Sequence, residues 1–159
     1  SLPGTFAFHD VANDDFKVGL LEVRSRLIPN VGNTLGFRVS VGGVSVAYLS
    51  DHQMPVDGSN SIHPGARELC EGVDLLIHDS QYTPVEFAAK SDWGHCTIDY
   101  ALWVASQCNV KRLALFHHDP IRCDDELDSL AASTRARGAD LGIEVFAAME
   151  NHTVSLPLR

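Results

Sequence analysis

The chain has 159 residues, 45% of them hydrophobic, with 12 basic against 21 acidic side chains. That size carries one domain with a real core, and the composition is ordinary for a globular protein. A net charge of −9 argues against general binding to a phosphate backbone, which needs clustered Lys and Arg, but leaves open a phosphate ester reached through a metal ion.

No apolar run is long enough for a bilayer, and Ser1–Gly4 shows no basic region followed by an apolar core. Neither a membrane span nor a signal peptide is expected. The four cysteines, Cys70, Cys96, Cys108 and Cys123, form no C-x-x-C pair. Their scatter predicts reduced thiols in the cytoplasm, packed as small hydrophobes.

In chain order, residues 1–16 read as irregular. Lys17–Ile28 alternates apolar and polar residues and predicts one long strand, broken by turn residues at Pro29–Asn33. Leu35–Val41 and Val44–Leu49 flank Gly42-Gly43, a strong signal for an antiparallel hairpin. His63–Glu71 predicts a short helix ending at Gly72. Val73–Ile77 predicts a strand that ends in His78-Asp79. Thr83, Pro84 and Glu86 form a helix start with a capping box. After the loop Ser91–Cys96, Thr97 caps a helix over Ile98–Gln107, with Ile98, Ala101, Leu102 and Ala105 on one face. Arg112–Phe116 is the next strand. A helix beginning near Cys123 or Asp124 is expected to stop at Gly138. Ile143–Met149 and Thr153–Leu156 complete the strands. No repeat or linker divides the chain. The alternation of helices and strands in its second half predicts an α/β layer.

Three apolar strands deliver the same residue types at their carboxyl ends: Asp51-His52, His78-Asp79 and His117-His118-Asp119. A fourth cluster, Gly94-His95, precedes a capped helix. His and Asp are the ligand mix for zinc, manganese or iron at a hydrolytic centre. Adjacent strand-end residues point to opposite sides, so at most one of His117 and His118 faces such a site. His9, His52, His63 and His152 read as loop or structural histidines. No H-x-H, H-E-x-x-H, G-x-S-x-G, P-loop or G-x-G-x-x-G occurs, so any metal site must be assembled from distant segments. The missing Gly-rich loop also argues against a nucleotide-binding domain.

The segments Ala47–His52, Leu76–Tyr82, Gly94–Thr97 and Leu115–Pro120, in this order, resemble the carboxyl-terminal half of a metallo-β-lactamase fold hydrolase of the ribonuclease Z and phosphodiesterase-like branch. The resemblance runs from about Phe16 to Leu156. It implies half of an αββα sandwich, a mixed sheet with helices on one face, as a single domain over residues 1–159. It also implies roles at matched positions. Asp51 corresponds to the metal-bridging aspartate and His117 to the last metal histidine. His95 corresponds to the histidine of a Gly-His-Ser-Thr segment, with Cys96 in place of serine. Asp79 corresponds to the glutamate of a His-Glu-Ala-Thr segment. Such an acid–histidine pair suits protonation of a leaving group.

Two departures accompany the resemblance. The defining H-x-H-x-D-H segment of the amino-terminal half is absent. Asn30 stands where another metal histidine is carried, which marks either a degenerate first metal site or an altered residue. The expectation is therefore a fragment that binds metal weakly or not at all, because catalytic zinc usually holds three protein ligands plus water. It would expose the sheet face that the other half covers, a surface open to homodimerisation. The parent protein is expected to hydrolyse phosphodiester or other ester bonds with a divalent metal. The alternative is a non-catalytic binding or assembly module that has lost its metals.

Overall fold

The computed structural model describes residues 8–159. The reading of Ser1–Gly4 lies outside them. One sheet of seven strands runs in chain order: β1 (Asp15–Val18), β2 (Leu21–Ile28), β3 (Thr34–Val41), β4 (Val44–Leu49), β5 (Leu75–Asp79), β6 (Arg112–Phe116) and β7 (Glu144–Ala147). The strands β1 to β4 form an antiparallel meander, and β4 to β7 pair in parallel. Parallel neighbours need crossovers. These are α1 (Pro64–Cys70), α2 (Pro84–Lys90) with α3 (Ile98–Gln107), and α4 (Asp124–Asp140). The expected mixed α/β sheet is thus observed.

Paired strand residues share a face, so the register separates two surfaces. Ala47, Leu76, Leu113 and Val145 line up across β4 to β7 and are buried under the helices. Ala66, Leu69, Ala101, Val104 and Ala105 complete that core. On the other face stand Val46, Tyr48, Ile77, Phe116 and Phe146, each at least partly exposed, with Tyr48 39% exposed. Helices cover one face only.

The turn chemistry matches the sequence at three places. Gly42 and Gly43 take positive φ in the β3–β4 hairpin. Thr83 and Glu86 close the capping box on α2, and the Thr97 side chain accepts from the Tyr100 amide.

Four expectations are corrected. Lys17–Ile28 is not one strand: a two-residue turn at Gly19-Leu20 folds it into the β1–β2 hairpin, with Gly19 at φ +60°. The irregular start accordingly ends at Asp14, not Phe16. Gly138 does not end α4. It lies inside the helix because Val145 packs there, where a Cβ would stand 2.4 Å from Val145 Cγ2. The stop is Gly142, at φ +73°, where the Gly142 and Ile143 amides bond back to the Ala139 and Gly138 carbonyls as a Schellman motif. Finally, Thr153–Leu156 forms no strand. The tail instead reaches the amino ends of the strands, where the Arg159 amide donates to the Gly42 carbonyl and the Arg159 guanidinium pairs with Asp74.

Candidate metal centre

Strand β5 includes His78 and Asp79 rather than stopping before them, so period-two alternation sends them to opposite faces. The His78 imidazole enters the helix-covered core. Its Nδ1 lies 2.6 Å from the Asp79 carbonyl, which can only accept, so Nδ1 carries the proton. In the neutral ring Nε2 then accepts from His52 Nδ1 at 3.0 Å. Burial holds both imidazoles below their ordinary pKa, most strongly His52. They are core histidines, whereas the sequence reads His52 as a loop histidine rather than a ligand.

Asp79 points the other way, towards the candidate site, and its side chain is fully buried. Its Oδ1 accepts from the amides of Gln81 and Cys96, at 3.2 and 3.3 Å. Its Oδ2 is 2.7 Å from His95 Nδ1 and 4.0 Å from His117 Nδ1. The hydrogen bond to Asp79 raises the His95 pKa above its ordinary value, against the opposing effect of burial. With Nδ1 held by Asp79, Nε2 is the ring nitrogen left for chemistry.

Asp51 follows β4 and His117 follows β6. Both adopt left-handed backbone, at φ +53° and +57°. Among the described residues the other non-glycine positions of this kind are Asn109 and Asn151, and asparagine tolerates that region. Aspartate and histidine are also found there more often than most side chains, at a modest strain that the surroundings hold. Here the strain turns two strand ends towards each other: His117 Nε2 lies 3.1 Å from Asp51 Oδ1. The His117 and His95 rings stack with centroids 4.8 Å apart.

One ligand atom from each of Asp51, His95 and His117 lies within 4.8 Å of the others. Two imidazoles and a carboxylate are a donor set for zinc, iron or manganese, so the residues fit a divalent ion. His95 joins a group for which the sequence offered only Asp51 and His117. All four expected site residues, Asp51, Asp79, His95 and His117, converge here.

His118 and Asp119 do not join them. The His118 pKa is lowered by burial, and Asp119 is spent on Lys90 Nζ at 3.0 Å and the Ile121 amide at 3.1 Å. His63 caps α1 by accepting from the Gly65 amide. His9 and His152 are exposed.

Three side-chain amides around the site carry no sequence motif. Gln81 Oε1 accepts from His117 Nδ1 at 3.2 Å. Gln53 binds the Gly94 amide at 2.6 Å and the His95 carbonyl at 3.1 Å. Asn30 Nδ2 donates to the Asp51 carbonyl at 2.6 Å. Asn30 sits at the site, as the resemblance implied, but both ends of its amide are occupied, since Oδ1 accepts from the Val31 amide at 2.5 Å.

The family described as beta-lactamase superfamily domain matches residues 5–118. Ribonuclease Z of Sulfurisphaera tokodaii is 37% identical over 107 residues, covering 63% of this chain and 35% of that protein. Ribonuclease Z of Sulfolobus acidocaldarius is 42% identical over 76 residues, covering 47% and 22%. The chain thus spans about a third or less of these curated relatives. Among solved structures, the short form of human tRNase Z superposes with a TM-score of 0.64 at 23% identity, over 89% of this chain and 46% of that one. Zinc-bound PqqB of Methylobacterium extorquens gives 0.64 at 20% identity, over 92% and 51%. These two likenesses concern the fold. The sheet order, the meeting of strand ends and the match over residues 5–118 agree, and the chain belongs to the metallo-β-lactamase superfamily, with ribonuclease Z-like sequence.

Proposed function

We propose that this chain supplies metal-holding and proton-handling residues for the hydrolysis of phosphodiester bonds. The observation that carries the reading is the convergence of Asp51, His117, His95 and Asp79 at the carboxyl ends of β4, β5 and β6. The naming of the matched relatives as ribonuclease Z supports a phosphodiester over other esters.

Asp51 and His117 hold a divalent ion, zinc in the first instance, which when bound would activate water and neutralise phosphate charge. Gln81 accepts from His117 Nδ1 and leaves Nε2 for the ion. His95, anchored through Nδ1 to the buried Asp79, delivers a proton from Nε2 to the leaving oxygen. The test is turnover of a chromogenic phosphodiester by the full-length protein with zinc or manganese, together with its metal content. His95→Gln, which takes one imidazole from the donor set of Asp51, His95 and His117, is expected to lose activity with a smaller loss of metal than Asp51→Asn, which loses both. Metal-loaded protein without turnover of any phosphodiester overturns the reading.

A second reading, a binding unit that has lost its metals, is favoured by one observation: a carboxamide with each end bonded to backbone stands where the resemblance places a metal imidazole. Two ions per full-length chain would exclude it.

We also place the protein in the cytoplasm, since Cys70, Cys96, Cys108 and Cys123 are all free thiols. No helix of the described residues is long and apolar enough to cross a membrane. The open sheet face with Tyr48 and Phe116 at its centre is proposed to bury itself against a second apolar layer, in a homodimer when this chain is alone.

A further inference from the structure

We propose that Asn30 is a positioning residue: it locks Asp51 in the left-handed backbone that aims its carboxylate at His117, and it does not itself ligate the ion. The inference rests on the reading of Asp51 as a metal ligand.

The loop after β2 carries Asn30, the loop after β4 carries Asp51, and the loop before α3 carries Gly94 and His95. Asn30 touches all three. Its Nδ2 donates to the Asp51 carbonyl at 2.6 Å. Its Oδ1 accepts from the Val31 amide at 2.5 Å, which fixes the amide's orientation because a backbone N–H can only donate. Its carboxamide also lies against Gly94, where a Cβ would stand 2.7 Å from Oδ1; Gly94 itself has φ +94°. Two residues on from Asp51, the Gln53 amide donates to the Pro29 carbonyl at 2.8 Å. The chain leaving Asp51 is thus tied to the Asn30 loop on both sides of His52.

Aspartate visits the left-handed region more readily than most side chains but is not confined to it, and the tie to Asn30 selects that conformation. Released, its backbone relaxes towards the ordinary regions, where most non-glycine residues sit. That rotation carries the carboxylate away from His117 Nε2, now 3.1 Å from Oδ1. Asn30 therefore acts on the ion through Asp51, with both ends of its own amide already spent.

The test uses the full chain and zinc titration by calorimetry, with the Asp51 φ angle read from its three-bond HN–Hα and residual dipolar couplings in the metal-free protein. Asn30→Ala should weaken zinc by about 10- to 100-fold, the range for outer partners of metal ligands, and move Asp51 out of the left-handed region. Asn30→Asp discriminates lock from ligand. A carboxylate there keeps an acceptor for Val31 but loses the donor to Asp51, so affinity should fall. If Asn30 were a ligand, the added charge would tighten binding. Tighter zinc in Asn30→Asp, or an unchanged Asp51 φ and affinity in Asn30→Ala, overturns the inference. Should the wild-type full-length protein bind no zinc, the functional reading falls, and the Asp51 couplings in Asn30→Ala still decide whether the lock exists. Where Asn30→Ala fails to fold, the same couplings are read in Asn30→Asp, and a left-handed Asp51 there overturns the lock.

Discussion

The two faces of the sheet carry nearly the same kind of side chain and meet different fates. Leu76 and Leu113 lie fully buried under α3, while Ile77, one residue on from Leu76, and Phe116, three on from Leu113, face an uncovered surface beside Tyr48. Apolar residues on both faces are the signature of a strand buried on both sides. This chain provides the cover for one side. Its site opens on the other: Asp79 belongs to the Ile77 face, whereas His78 belongs to the Leu76 face. The difference teaches that hydrophobic pattern records what a face is built to meet, and that tertiary structure alone records what it has met.

The largest test of this contrast is a pair of truncations. Leu76→Ala should cost about 2–5 kcal/mol by opening a cavity, and Ile77→Ala on the open face much less. Urea unfolding measures both. Equal costs would break the comparison, because they would mean the open face is covered in solution.

Asp74 sharpens the contrast at the amino end of the sheet. It ties Lys111 and the Ser45 amide, at 2.6 and 2.9 Å, and pairs with Arg159. Burial pushes its pKa up, but Lys111 and the Ser45 amide prevail and hold it below the usual carboxylate value. A depressed folded pKa stabilises above the unfolded value and is lost as pH falls through the folded one. Asp74→Asn should therefore cost about 1.5–3 kcal/mol at pH 7, the range for hydrogen bonds to charged groups. The gap to wild type should begin to narrow as pH drops below about 4. Denaturant melts at pH 7 and pH 3 check it; a gap as wide at pH 3 as at pH 7 refutes the assignment.

Gly138→Ala tests the covered face from the helix side. The new methyl would meet Val145 Cγ2 at 2.4 Å, so overpacking of about 1–3 kcal/mol is expected in place of the usual gain for alanine in a helix. A stabilised variant would show that α4 can shift off β7.

The smallest stability effect belongs to Tyr48→Ser, on the open face. It should change the stability of the monomer by no more than about 0.5 kcal/mol. It should also weaken any self-association seen by sedimentation, because it removes apolar area from the exposed patch. An unchanged association constant would sink the proposed use of that face.

Much of this was legible in the sequence where the signal is local. Gly42-Gly43 wrote the hairpin, Thr83-Pro84 with Glu86 wrote the start of α2, and the strand ends displayed Asp51, Asp79 and His117. Local patterns failed where a distant residue set the rule. Gly138 looked like a helix stop because glycine usually is one, yet its smallness serves Val145, seven residues on. Gly19-Leu20 was overlooked because Val18 and Leu20 keep the alternation through the turn. His95 was legible as a partner of Asp79 but not as a neighbour of Asp51, since the contact joins loops after β4 and before α3.

The sequence by itself determined the central strands β3 to β6, the caps that start α2 and α3 and the residue types gathered at the carboxyl edge, because periodicity and capping act within a few residues of chain. Only the tertiary structure decided which face the helices cover, that His95 stands beside Asp51 and His117, and that Asn30 holds Asp51. Those are hydrogen bonds and packing contacts across loops far apart in the chain, and such contacts leave no periodic trace in the residues that make them.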